Sequence, residues 1–125
     1  MLNRSGVTKT TLSAPKQILA NVDLQSSVGC IVSAAVGGAG EISKAGTPIQ
    51  IDFTDLQKPA VLATADVAMN AVLLHDVDTT KGNANGTALI FGFVNINRLD
   101  EDVATLVETA QTAATATKQV TFLKV

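Results

Sequence analysis

The sequence predicts a mainly β fold with one short C-terminal helix, an α+β domain, and three observations predict it. From Ile18 onward the apolar residues come in short runs, roughly four to eight long, separated by turn formers. Several runs alternate apolar and polar residues with a period of two, as half-buried strands do. The clearest helical spacing, with steps of three and four, comes after Arg98.

With 125 residues the chain has room for one domain, which at this size buries roughly two-thirds of its unfolded surface. Hydrophobic residues are 46% but aromatics 3%, with four Phe and no Trp or Tyr, so Val, Leu, Ile and Ala must fill the core. Nine basic against eleven acidic residues leave a net charge of -2. That charge sets up no field to attract nucleic acid or an anionic membrane, and neither is expected as a partner. The longest apolar stretch, "VGCIVSAAVGGAG", is too short and too rich in glycine for a bilayer span, which needs about 20 apolar residues. The opening "MLNRSGVTKTTLSAPK" has no apolar export core, and the lone Cys30 has no internal disulfide partner. Both fit a protein made in a reducing cytoplasm.

Residues 1–21 read as a basic N-terminal arm, either a disordered terminus or a segment that orders against a partner: Arg4, Lys9 and Lys16 occur with no acid before Asp23, among many Ser and Thr. Val7 to Leu12, "VTKTTL", is β-prone enough to add as a strand to another sheet edge. Residues 22–125 form the single β-rich domain. In "TPIQIDF", Ile49, Ile51 and Phe53 alternate with Gln50 and Asp52, so all three apolar residues are expected on one buried face, with Pro48 where a strand can begin. "GGAG" at 37–40 reads as a turn, since no phosphate-binding Lys-Ser or Lys-Thr pair follows it. "VAMNAVLL" fits strand or helix by periodicity, and strand is favoured from Ala71. "KGNANG" is expected as a hairpin tip, with Gly82 and Gly86 at positive φ and Asn83 and Asn85 bonded to their own backbone.

Leu89, Phe91 and Phe93 alternate with Ile90, Gly92 and Val94. Both faces are apolar, so this strand is expected to be the most enclosed and to centre the core. The helix follows, with Leu99, Val103, Leu106, Val107, Ala110 and Ala114 on one side. Asp100, Glu101 and Asp102 crowd its positive end, and Lys118 is expected at the other. "QVTFLKV" closes the domain as a strand with Val120 and Phe122 on one side.

His75, Asp76 and Asp78 are the natural candidates for acid-base or metal chemistry. Their spacing counts against it. In extended backbone His75 and Asp76 point to opposite faces, leaving Asp76 with Asp78 as the one convergent polar pair. Read as a calcium loop, the segment places Lys81 where glycine is required and Thr87 where a bidentate glutamate is required. One Cys and one His fall short of a structural zinc set, and no nucleophile elbow accompanies the histidine. Cys30, inside an apolar run, reads as a small buried hydrophobe. The expectation is no enzyme, no metal and no cofactor, with the carboxylates capping a turn. The alternative is a small β-barrel binding module or hydrolase using His75, Asp76 and Asp78.

The order of segments has a counterpart. The basic arm, "AGTPIQID", "AVLLHDVDTTKGNANGTALIFGFVNINRL", the helix and the closing "VTFLK" together resemble the head decoration and head-fibre base proteins of tailed bacteriophages, over about residues 44–124. "GTPI" before a strand resembles the lambda-type decoration protein; "LLHDVD", the Gly-Asn tip, "GFVN" and the last strand are more like head-fibre proteins. The resemblance implies a β-tulip, a small barrel with an extended arm, assembled as a homotrimer on the exterior of the mature capsid. The arm would contact the major capsid protein, with Val7 and Leu12 anchoring strand addition and Arg4 and Lys9 meeting acidic surface. The chain stops just after the closing strand, so a cement role is expected over a host-binding stalk. Another virion component, such as a tail or neck protein, or a cellular oligomeric β protein is the remaining structural alternative.

Overall fold

The computed structural model describes residues 17–20, 25–38, 40–113 and 115–124. Its strands are β1 (Ser26–Val32), β2 (Pro48–Gln50), β3 (Val61–Leu62), β4 (Ala71–Leu73), β5 (Ala84–Asn95) and β6 (Val120–Leu123), and its helix is α1 (Glu101–Gln111). The fold is mainly β with a single short helix near the C-terminus, as the run lengths predict.

β5 is long enough to carry two partners along each edge. β1 runs antiparallel to its first part, from Val32 opposite Ala84 to Ser26 opposite Phe91, and β4 pairs antiparallel on the other edge through Val72 with Leu89. Farther along, Val94 has Leu19 antiparallel on one side and Phe122 of the parallel strand β6 on the other. Between these halves the register slips. Ser27 faces Leu89 while Ser26 faces Phe91, so Ile90 has no residue opposite it. An extra residue of this kind bends and twists a strand, and Gly92 just beyond it has φ +155°.

The sheet continues β1-β5-β4-β2-β3 and then returns on itself. Ala60, immediately before β3, donates its N–H to the Ile31 carbonyl at 2.7 Å and accepts the Ser33 N–H at 3.1 Å. These bonds rejoin β1 and close a small barrel, which shields sheet edges that would otherwise stand open.

Two cores result, and β4 shows why. Ala71 and Leu73 pack inside the barrel with Val32, Ile49, Ile51 and Ala88. Val72 and Leu74 point the other way, into a layer with Met69, Leu89, Val94 and the α1 residues Val103, Val107 and Ala110. Both faces of β4 are therefore buried. Each enclosed Leu or Val contributes about 1.5–3 kcal/mol relative to exposure, which offsets the weak pairing of so short a strand. Double-sided burial also explains why "AVLL" carries no period of two.

Several expectations are corrected. Phe53 is not on the buried face of its run: β2 ends at Gln50, and Phe53 stands in the following turn, 57% exposed. β5 is enclosed at Ala88, Leu89 and Val94, but Phe91, opposite Ser26 at the slip, belongs to neither core and is 44% exposed. α1 stops at Gln111 with no basic residue in its last turn, so Lys118 lies beyond it; Ala114 is outside the described residues.

The hairpin tip is shorter than "KGNANG". Gly82 has the expected positive φ, +145°, but Asn85 and Gly86 already belong to β5. Gly86 needs space, not a special backbone angle: a Cβ there would lie 2.8 Å from Val77 Cγ2 and 2.9 Å from Val32 Cγ2. The Asn83 Oδ1 accepts the Ala34 N–H at 2.9 Å, tying the tip to the chain just past β1 and not to its own backbone.

Arg4, Val7, Lys9 and Leu12 lie outside the described residues. Ile18 and Leu19 are buried, and the Asn95 N–H donates to the Ile18 carbonyl at 2.8 Å. The packed body thus takes in Ile18–Ala20, within the stretch 1–21 read as an arm.

Candidate functional site

The segment from His75 to Thr80 leaves β4 and crosses the end of the barrel. Val77 is its buried anchor, exchanging backbone hydrogen bonds with Ser43 at 2.8 and 2.9 Å. The Asp76 Oδ1 accepts the Ala45 N–H at 2.7 Å. The Asp78 Oδ1 accepts the Thr80 hydroxyl at 2.5 Å and the Thr80 N–H at 3.1 Å, an Asx turn. The Thr80 hydroxyl first, then its N–H, hold the Asp78 carboxyl below the usual carboxylate value.

His75 is exposed, and the structure does not join it to either carboxylate. Both carboxylates hold backbone in place. Among the described residues no group of three His, Cys, Asp or Glu is gathered as a metal would require. Cys30 is buried and its thiol is pushed up by that burial, which disfavours the nucleophilic thiolate.

The polar residues that matter most to the body were not legible in the sequence. The buried Ser43 and Thr79 hydroxyls meet at 2.8 Å, and Thr79 donates to the Glu41 carbonyl at 3.0 Å. The Asn70 amide takes the place of a strand, accepting the Ile51 N–H and donating to the Ile51 carbonyl, both at 2.8 Å. Partners so far apart in sequence leave no signal in local spacing.

Lys44 lies 3.1 Å from Asp102 and 3.4 Å from Asp100, clipping the 43–47 turn to the start of α1. The Asp102 and then the Asp100 hydrogen bonds raise its ammonium above the ordinary value. Gly46, at φ +92°, sits against Leu99 beneath this clip, with no space for a Cβ.

What the surface offers instead is apolar. Phe53 is 57% exposed, Val61 44% and Leu123 39%. An open depression of about 560 Å³ is lined by Gln50, Ile51, Phe53, Lys58, Pro59 and Val61, among others. Asp52, at its rim, accepts the Thr54 hydroxyl at 2.6 Å and lies 3.6 Å from Lys58. The Thr54 hydroxyl foremost holds its carboxyl below the usual range, so Asp52 too is engaged in its own turn.

Phe53 and Val61 line that depression together, while Leu123 lies at the end of β6. Val94 and Phe122 face the α1 layer, so Phe93, Thr121 and Leu123 face away from it by strand alternation. The chain matches no protein-family model, and no curated protein matches it.

Proposed function

We propose that this chain is a structural virion protein that binds the outer surface of a mature phage capsid as a homotrimer and stabilises it. The observation that carries the reading is the exposure of Phe53, Val61, Phe91 and Leu123 on a body whose carboxylates hold turns. Phe53 and Val61 join Ile51 and Pro59 along one depression, and a contiguous apolar patch on a well-packed domain marks a contact surface; the body is suited to serving as a rigid support. The segment resemblance supplies the partner, the major capsid protein, and the place, the capsid exterior. No catalysis, metal or cofactor enters this role.

In this reading the arm makes the capsid contact. Val7 and Leu12 anchor an added strand, and Arg4 and Lys9 meet acidic surface. Three arms on one trimer raise avidity without strengthening any single contact. Binding the mature shell alone stabilises it by about 2.7 kcal/mol per site at a hundredfold excess over Kd.

The test is co-sedimentation of purified protein with empty mature heads, beside a variant lacking residues 2–13. The full chain pellets with heads and the truncated chain stays in the supernatant, folded. Full occupancy by the truncated chain would remove the arm from the account, and a full chain that ignores heads would remove the capsid.

A further inference from the structure

We infer that two exposed apolar surfaces bind each other between copies: the Phe53 and Val61 surface of one copy packs on β6, at Leu123, of the next. The inference rests on the proposed homotrimer for the number of copies, but not for the pairing itself.

Charge selects the occupant. Residues 50–66 carry Asp52, Asp55 and Asp66 against Lys58 alone, three acids to one base, whereas residues 117–124 carry Lys118 and Lys124 and no acid. Asp55, Asp66, Lys118 and Lys124 are all exposed. Two Phe53 surfaces set face to face would oppose like charges, and so would two β6 edges. Acidic against basic is the attractive combination.

Strand geometry agrees. β6 is paired with β5 alone among the described strands, and Leu123 near its end is 39% exposed. Packing Phe53 and Val61 against the Leu123 side chain removes apolar surface from water on both copies. A contact between two different patches is head-to-tail, and such contacts form a ring when the rotation between copies closes, as a homotrimer requires, whereas a two-fold dimer requires a patch that meets itself.

The experiment uses single-cysteine replacements at exposed positions, Phe53→Cys and Leu123→Cys, mixed and oxidised, with Cys30 buried in both. A disulfide-linked product that forms in the mixture and in neither protein alone is expected. Self-linked Phe53→Cys or Leu123→Cys dimers would indicate a two-fold contact and overturn the inference, as would the absence of any link in the mixture. Sedimentation gives the second readout: Asp55→Lys and Lys124→Glu each weaken self-association at least tenfold, and the double variant recovers it. A wild-type monomer at all concentrations, or singles that associate normally, overturns the inference. Head binding is scored separately, so rings that ignore heads remove the capsid reading alone, and head binding by monomers removes this inference and the homotrimer but keeps the capsid as partner.

Discussion

The Asp76 Oδ1 accepts the backbone N–H of Ala45 at 2.7 Å, across 31 positions of sequence. The carboxylate that looked most like chemistry therefore pins the 43–47 turn to the strand leaving β4. Asp76→Ala leaves that N–H without its partner and should cost about 1–3 kcal/mol, while Asp76→Asn keeps an acceptor oxygen and should lose less. Urea unfolding of the two variants checks the order. Equal losses would mean that the bond contributes little.

Gly86 lies in β5 with its missing side chain aimed at Val77 and Val32. Gly86→Ala should overpack the barrel interior and cost about 1–3 kcal/mol, although its backbone is ordinary strand. The same change at Gly29, where a Cβ would meet nothing within 4 Å, should cost far less. Thermal melts of both decide whether space or backbone freedom keeps glycine at position 86.

Truncation should show a sharp boundary. Removing residues 2–13 leaves Ile18 and Leu19 in the α1-side core and should preserve the melt. Removing residues 2–20 strips two buried side chains from that core and removes the bonds that Ala20 donates to Phe93 and Ile18 accepts from Asn95, which should cost several kcal/mol by comparison with about 2–5 for a single buried Leu or Ile cut to Ala. Circular dichroism of the two truncations reads the difference.

Acid should weaken the body through its turns. Asp52 and Asp78 have carboxyls held below the ordinary 3.8 by Thr54 and Thr80. Their folded values lie below their unfolded ones, so they stabilise the fold above the unfolded value, and the effect is lost as pH falls through the folded values. Replacing both with Asn should flatten stability against pH on the acid side of about 4. An unchanged slope would assign the acid sensitivity to other groups.

Cys30 should resist thiol reagents in the folded protein and react on unfolding, because it is buried and its thiol is pushed up. The rate of labelling by an aromatic disulfide, with and without denaturant, measures this. Rapid labelling of the folded chain would require an opening of the barrel at β1.

The amino-acid sequence by itself determined the β-rich class, the helix after Arg98 and the closing strand. Each rests on a period that neighbouring residues reveal: two for Ile49 and Ile51, three to four for Val103, Val107 and Ala110. It also excluded a calcium loop at Asp76, since Lys81 occupies the glycine position. Tertiary structure alone decided that Phe53 and Phe91 face water while Ala71 to Leu74 are buried on both sides, that Gly86 yields space to Val77, and that Asp76 holds Ala45. The physical reason is the same throughout: burial and hydrogen bonding are set by whatever segment arrives from far along the chain, and β5 receives β1, β4, β6 and Ile18–Ala20 from sequence positions that no local period connects.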